Sequence, residues 1–175
     1  MAAVLQPHPS VTNPLWRVSG EVQCQGREVD WRMRVEGPGP HVNPAFGADP
    51  RKNWQLWEWD VVEAFLQMRR HPDDMTAPYL EVQLSPRNQG LVLVILEPRR
   101  RYYTPLHFQW HTEVELGEGV WSARARFRLP DDFPEGELWG GLFACLGTAP
   151  RGFYALAPNP GEFPDFHRPQ HFVRF

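Results

Sequence analysis

The stretch N-W-Q-L-W-E-W-D-V-V-E-A-F-L, Asn53 to Leu66, places three tryptophans and three carboxylates within eleven residues, ahead of an apolar run. From Trp59 onward it has the composition of a β-strand, rich in aromatic and β-branched residues. One parity carries Trp57, Trp59, Val61, Glu63 and Phe65. The other carries Glu58, Asp60, Val62, Ala64 and Leu66. Neither face is wholly apolar, so Glu63 stands among aromatic and β-branched neighbours, and Asp60 lies two residues before Val62. A carboxylate in apolar surroundings is costly unless it is paired or hydrogen-bonded. Two explanations stay open. The acids form buried ion pairs with arginines, or they present acceptors to a ligand beside a tryptophan face.

The pattern around this stretch fixes the fold class. Glu28 to Glu36 alternates, with Val29, Trp31, Met33 and Val35 on one face. Pro78 to Pro86 places Leu80, Val82 and Leu84 inward, and Leu91 to Leu96 is a continuous apolar run suited to a strand covered on both faces. Leu106 to Leu116 alternates, Gly117 to Gly119 marks a hairpin turn, and Trp121 to Leu129 turns Arg124, Arg126 and Arg128 outward. Leu138 to Leu146 and Gly152 to Ala157 are two further buried strands. Gly37 to Lys52 is a long loop, and the tail from Pro158 is extended. Helical periodicity is nearly absent. Seven or more short strands indicate an all-β antiparallel sandwich or barrel, with residues 1–175 as one domain.

Composition narrows the function classes. The net charge is −3, which gives no global pull on nucleic acid or anionic membranes. The arginines at 99–101 and at 124, 126 and 128 are expected as a solvated sheet face paired with Glu113 and Glu115 across the hairpin. No window approaches a membrane span, and the N-terminus has neither a basic region nor an apolar stretch of signal-peptide length, so the expected location is the cytoplasm. Cys24 and Cys145 are expected as small buried apolar side chains; a disulfide between them is not established by sequence. No G-x-S-x-G elbow, P-loop or H-E-x-x-H occurs, so an enzyme is not expected. His107 and His111 would lie roughly 13 Å apart on a strand, and Pro169 opposes a helix between His167 and His171. The tail is instead expected to be pinned by hydrogen bonds of His167 and Arg168.

The segments L-W-E-W-D-V-V-E-A-F-L, P-Y-L-E-V-Q-L-S-P, R-G-F-Y-A-L and P-D-F-H-R-P-Q-H-F together resemble the DOMON-like, family 9 carbohydrate-binding-module superfamily, in a bacterial single-domain branch. The resemblance covers about Trp16 to Phe172 and implies an immunoglobulin-like antiparallel β-sandwich. It implies a saccharide or polyol ligand, with Trp57 as the stacking platform and Glu63 accepting hydroxyl hydrogen bonds. It also implies a polar residue after the next strand, Arg87 or Asn88; Arg151 with Tyr154 is expected to complete the rim. Family 9 sites use a second aromatic from near the C-terminus; Tyr154, Phe163 and Phe166 are the candidates, though none matches the motif. No cofactor is expected. Calcium is allowed by the resemblance without assignable ligands. Haem binding, known in some DOMON-like domains, would draw on Met33, Met68, Met75 and His107. The competing class is a structural or protein-interaction module with a closed pocket.

Overall fold

The computed structural model describes residues 2–175. Among these residues thirteen strands form two antiparallel sheets. The first sheet has the order β1 (Ala3–Val4), β3 (Arg17–Gln25), β4 (Glu28–Glu36), β10 (Val120–Arg128) and β9 (Trp110–Gly117). The second runs β2 (Gln6–Pro7), β12 (Gly152–Ala155), β11 (Glu137–Leu146), β5 (Val61–Arg69), β6 (Tyr79–Leu84), β7 (Gly90–Glu97) and β8 (Arg101–Tyr103). A short β13 (Val173–Arg174) adds to the Trp139 end of β11.

Alternation explains the layers. Val29, Trp31, Met33 and Val35 of β4 and Trp121, Ala123, Ala125 and Phe127 of β10 are buried against Val62, Ala64, Leu66, Leu80, Val82 and Leu84 of the second sheet. Strand β7 is covered on both sides, as its unbroken apolar run requires. Val92 and Val94 join the inter-sheet core, while Leu91, Leu93 and Ile95 join a second apolar cluster on the outer face with Phe65, Tyr79 and Phe143. That outer face carries the candidate site.

Three strands differ from the sequence reading. The segment from Trp57 to Asp60 is not yet strand. A 3-10 turn spans Leu56–Glu58, and β5 begins at Val61. Strand β9 begins at Trp110 rather than Leu106, because Leu106 and His107 are exposed in a turn. Strand β3 escaped the sequence pattern, since its inward positions, Val18, Gly20, Val22 and Cys24, include a glycine and only two large apolar residues. Cys24 is exposed near the end of β3 and is a free thiol, while Cys145 is free and buried. The expectation of two buried cysteines therefore holds only for Cys145: Cys24 has the inward parity of Val18 but lies where the strand runs out toward the turn at Gly26. On the outer face of the first sheet, Arg124 and Arg126 pair with Glu113, and Arg128 pairs with Glu28 and Asp131. Among the described residues, Glu115 joins none of these ion pairs.

Candidate functional site

The two acids of the opening stretch have different fates. Asp60 is buried at the mouth of β5. Its Oδ1 accepts from the backbone N–H of Gly147 at 2.6 Å, and its Oδ2 from that of His41 at 3.0 Å. It thereby ties two loops together, and the His41 ring stacks on Trp59 with centroids 4.4 Å apart. Burial pushes its carboxyl above the usual range, against the pull of those two N–H groups.

Glu63 is equally buried, but among the described residues no arginine comes within ion-pair distance and its carboxylate has no hydrogen-bond partner. It lies in the floor of a cavity of about 400 Å³ on the outer face of the second sheet. Antiparallel pairing sets this floor. Glu63 faces Gln83 across β5 and β6, and Phe65 faces Glu81 one step along, so the two glutamates are diagonal neighbours on one face. Phe143 flanks Glu63 from β11, and Leu93 flanks Glu81 from β7.

The polar floor is only partly satisfied. Gln83 Nε2 donates to Glu81 Oε1 at 2.7 Å. Glu81 Oε2 and Gln83 Oε1 are buried and lack a hydrogen-bond partner; His167 Nε2 stands 3.9 Å from the former. Burial, and then repulsion from Glu81, holds the Glu63 carboxyl well above the ordinary range. Burial pushes Glu81 up to about 7, opposed by the Gln83 hydrogen bond. His167 is held down to about 4, first by burial. Its Nδ1 lies 2.6 Å from the Tyr79 hydroxyl.

The walls are aromatic. Trp57 is half-buried, with Trp54 edge-on at 4.8 Å; Trp54 in turn stacks on Tyr102 at 5.5 Å and 14°. Trp54 and Tyr102 are exposed at the rim. Phe166 and Phe153 close the other side, Phe166 stacking on Phe143 at 4.3 Å. Arg99 and Asp165 form an ion pair of 2.5 Å at the edge, and Asp165 also accepts from Arg168. The tail is thus pinned through His167 and Arg168, as expected. It is also anchored by buried Arg69, which donates to the Pro169 carbonyl at 2.6 Å while lying over Trp139.

Of the expected site residues, the structure brings Trp57 and Glu63 together in this cavity, with Phe166 opposite. Arg87 and Asn88 are exposed in the tight turn between β6 and β7, where Asn88 has a left-handed φ of 58°, and they do not line it. Arg151 lies beneath the tryptophans. It donates to the carbonyls of Trp57, Glu58, Trp59 and Gly147 and so fixes the backbone that carries Trp57. Tyr154 points into the inter-sheet core, its hydroxyl accepting from the Trp16 N–H at 3.2 Å. Phe163 is exposed away from the cavity. Met33 and Met68 pack in the core, whereas Met75 and His107 are exposed, so the four residues considered for haem do not converge. Among the described residues no group of three or more His, Cys, Asp and Glu stands together to hold a metal ion.

The sequence reading missed Trp54, Glu81, Gln83, Arg99, Tyr102, Asp165 and His167. One signal was available for two of them. In Y-L-E-V-Q-L the positions opposite Leu80, Val82 and Leu84 are Glu81 and Gln83, in a strand whose neighbour β7 is apolar on both faces.

No family model matches the chain. By fold it is an antiparallel β-sandwich of the family 9 carbohydrate-binding-module type. It superposes on a putative carbohydrate-binding protein from Bacteroides uniformis with a TM-score of 0.77 at 15% identity, over 99% of this chain and 84% of that one. It superposes on a family 9 carbohydrate-binding module from Caldicellulosiruptor kristjanssonii in complex with cellotriose with a TM-score of 0.65 at 14% identity, over 99% and 80%. The same family from that organism in complex with glucose gives 0.60 at 14%, over 97% and 82%. By sequence the chain is 35% identical over 155 residues to UPF0462 protein C4orf33 of Homo sapiens, covering 82% of this chain and 72% of that protein. It is 34% identical over 152 residues to the Rattus norvegicus homologue, covering 82% and 72%. The chain belongs to the UPF0462 family. These relatives are vertebrate, so they lend no support to the expected bacterial branch.

Proposed function

We propose that this protein binds a saccharide or polyol, without chemistry, in the cavity above Glu63. The observation that carries the reading is the union, in one concave site, of an aromatic wall at Trp54 and Trp57 with a floor of buried acceptors. Sugars present C–H faces that pack on aromatic rings and hydroxyls that donate to carboxylate and amide oxygens. A volume of about 400 Å³ lies at the small end of ligand pockets and suits one or two sugar rings. Trp57 supplies the stacking face and Glu63 accepts from hydroxyls. Arg151 serves by holding the Trp57 backbone. The saccharide-bound family 9 structures support the reading through the shared fold, which by itself does not fix function.

Isothermal calorimetry against a panel of mono- and oligosaccharides, including glucose and cellotriose, tests it. The expected result is saturable heat that Trp57→Ala or Glu63→Gln weakens at least tenfold. Silence across the panel, or binding indifferent to Trp57→Ala, refutes the reading.

A further inference from the structure

The cavity floor is chemically one-sided. Its polar groups are the Glu63 carboxylate, which has no hydrogen-bond partner among the described residues, and the Glu81 Oε2 and Gln83 Oε1 atoms, which are buried without one. These residues are 2%, 3% and 1% exposed. Gln83 has turned an amide N–H to Glu81 Oε1, and that is why its own oxygen is left open. With both carboxyls ionised, every unused site is an acceptor.

Nor is the charge balanced nearby. Arg99, the cation lining the cavity, is committed to Asp165 at the rim. Arg151 acts on Glu63 only through space, because its guanidinium is spent on four backbone carbonyls. Two carboxyls buried side by side without a cation between them are costly unless protons or a ligand neutralise them. A neutral sugar hydroxyl satisfies the hydrogen bonds and leaves the charge. A protonated amine supplies three N–H donors and one positive charge, which neutralises one carboxylate while the other keeps its proton.

We propose that the preferred ligand carries a protonated amine, as an amino sugar does, seated between Glu63, Glu81 and the Gln83 carbonyl, with its ring against Trp57. This rests on the carbohydrate reading of the same cavity and deepens it. The groups facing the glutamates are Cys145 and Phe143 from β11, Gln83 from β6, Leu93 from β7, and Tyr79 and His167 at the far end. None of them is a cation at neutral pH, His167 being held neutral by burial. Binding of the amine is thus accompanied by release of at most one proton from the glutamate pair.

The test compares glucosamine, glucose and N-acetylglucosamine by calorimetry at pH 7, in two buffers of different ionisation enthalpy. The amine is expected to bind at least tenfold more tightly than either neutral sugar and to release at most one proton into the buffer. Glu81→Gln is expected to bring the ratio of affinities toward one. The wild-type ratio decides the matter if that variant fails to fold. Equal or tighter binding of glucose, lost in Trp57→Ala, overturns the amine inference and leaves the carbohydrate reading standing. Silence from all three probes and from the wider saccharide panel overturns both.

Discussion

Replacing Glu81 by glutamine should stabilise the protein by an amount that grows with pH. Glu81 is buried, and its carboxyl is pushed up to about 7 from an ordinary 4.5. Between those values the native state keeps a proton that the unfolded chain has released. The native state then binds more protons than the unfolded state, so its stability falls as pH rises. At about 1.4 kcal/mol per pH unit, the gap comes to about 3 kcal/mol, lost between pH 4.5 and about 8. In the wild type this fall is masked. His167 is held down to about 4 from 6.5, so it adds stability as pH rises from 4 to 6.5, by a similar amount. Because the Glu63 carboxyl too is raised, the wild-type curve should already descend from pH 4.5, shallowly while His167 offsets one of the two glutamates and more steeply above pH 6.5. The difference between Glu81→Gln and wild type removes the histidine. It should be near zero at pH 4.5 and approach about 3 kcal/mol in favour of the variant by pH 8. The added Gln can still accept from Gln83, so the swap leaves the native hydrogen bond with a partner. Urea denaturation followed by tryptophan fluorescence, at half-unit steps from pH 4.5 to 8.5, measures it. A difference that stays constant with pH would show that Glu81 ionises at an ordinary value, and the account of the cavity floor as strained by charge would be wrong.

Three further outcomes follow from the geometry. Arg151→Ala strips four backbone carbonyls of their donor and should cost about 3 kcal/mol by urea denaturation, with sugar affinity falling as Trp57 loosens; Arg151→Lys should recover little, because an ammonium cannot reproduce the planar fork. Tyr154→Phe should cost about 1 kcal/mol of stability, the order of a hydrogen bond such as the one it accepts from the Trp16 N–H, read by the same denaturation experiment. Thiol titration with an aromatic disulfide reagent should detect one reactive cysteine in the native protein, Cys24, and two after denaturation, since Cys145 is buried and burial keeps its thiol protonated.

The sandwich was legible because its strands obey a period of two where one face meets the core. Val29 to Val35 and Trp121 to Leu129 needed nothing beyond alternation, and both are inter-sheet core. The cavity was less legible because it lies on the other face of a sheet whose central strands are buried on both sides. There, alternation no longer separates inside from outside, and every residue of β5 and β6 is buried. Trp57 and Glu63 were found because an acid close to tryptophans is visible within one short segment of sequence. Glu81 and Gln83 lie in the neighbouring strand, and their partnership with Glu63 depends on register, which a single sequence does not display. Arg151 and Tyr154 show the converse. Both are polar groups close to the site in sequence pattern, yet one is spent on loop carbonyls and the other on the core, because each found backbone partners that satisfy it. What separates a ligand-facing group from a structural one in this fold is whether the protein itself completes its hydrogen bonds. Asp60 is completed by two backbone N–H groups, and Glu63, three residues later, is left with none. That inequality between two acids on one short segment is the physical reason to look for a donor from outside the chain.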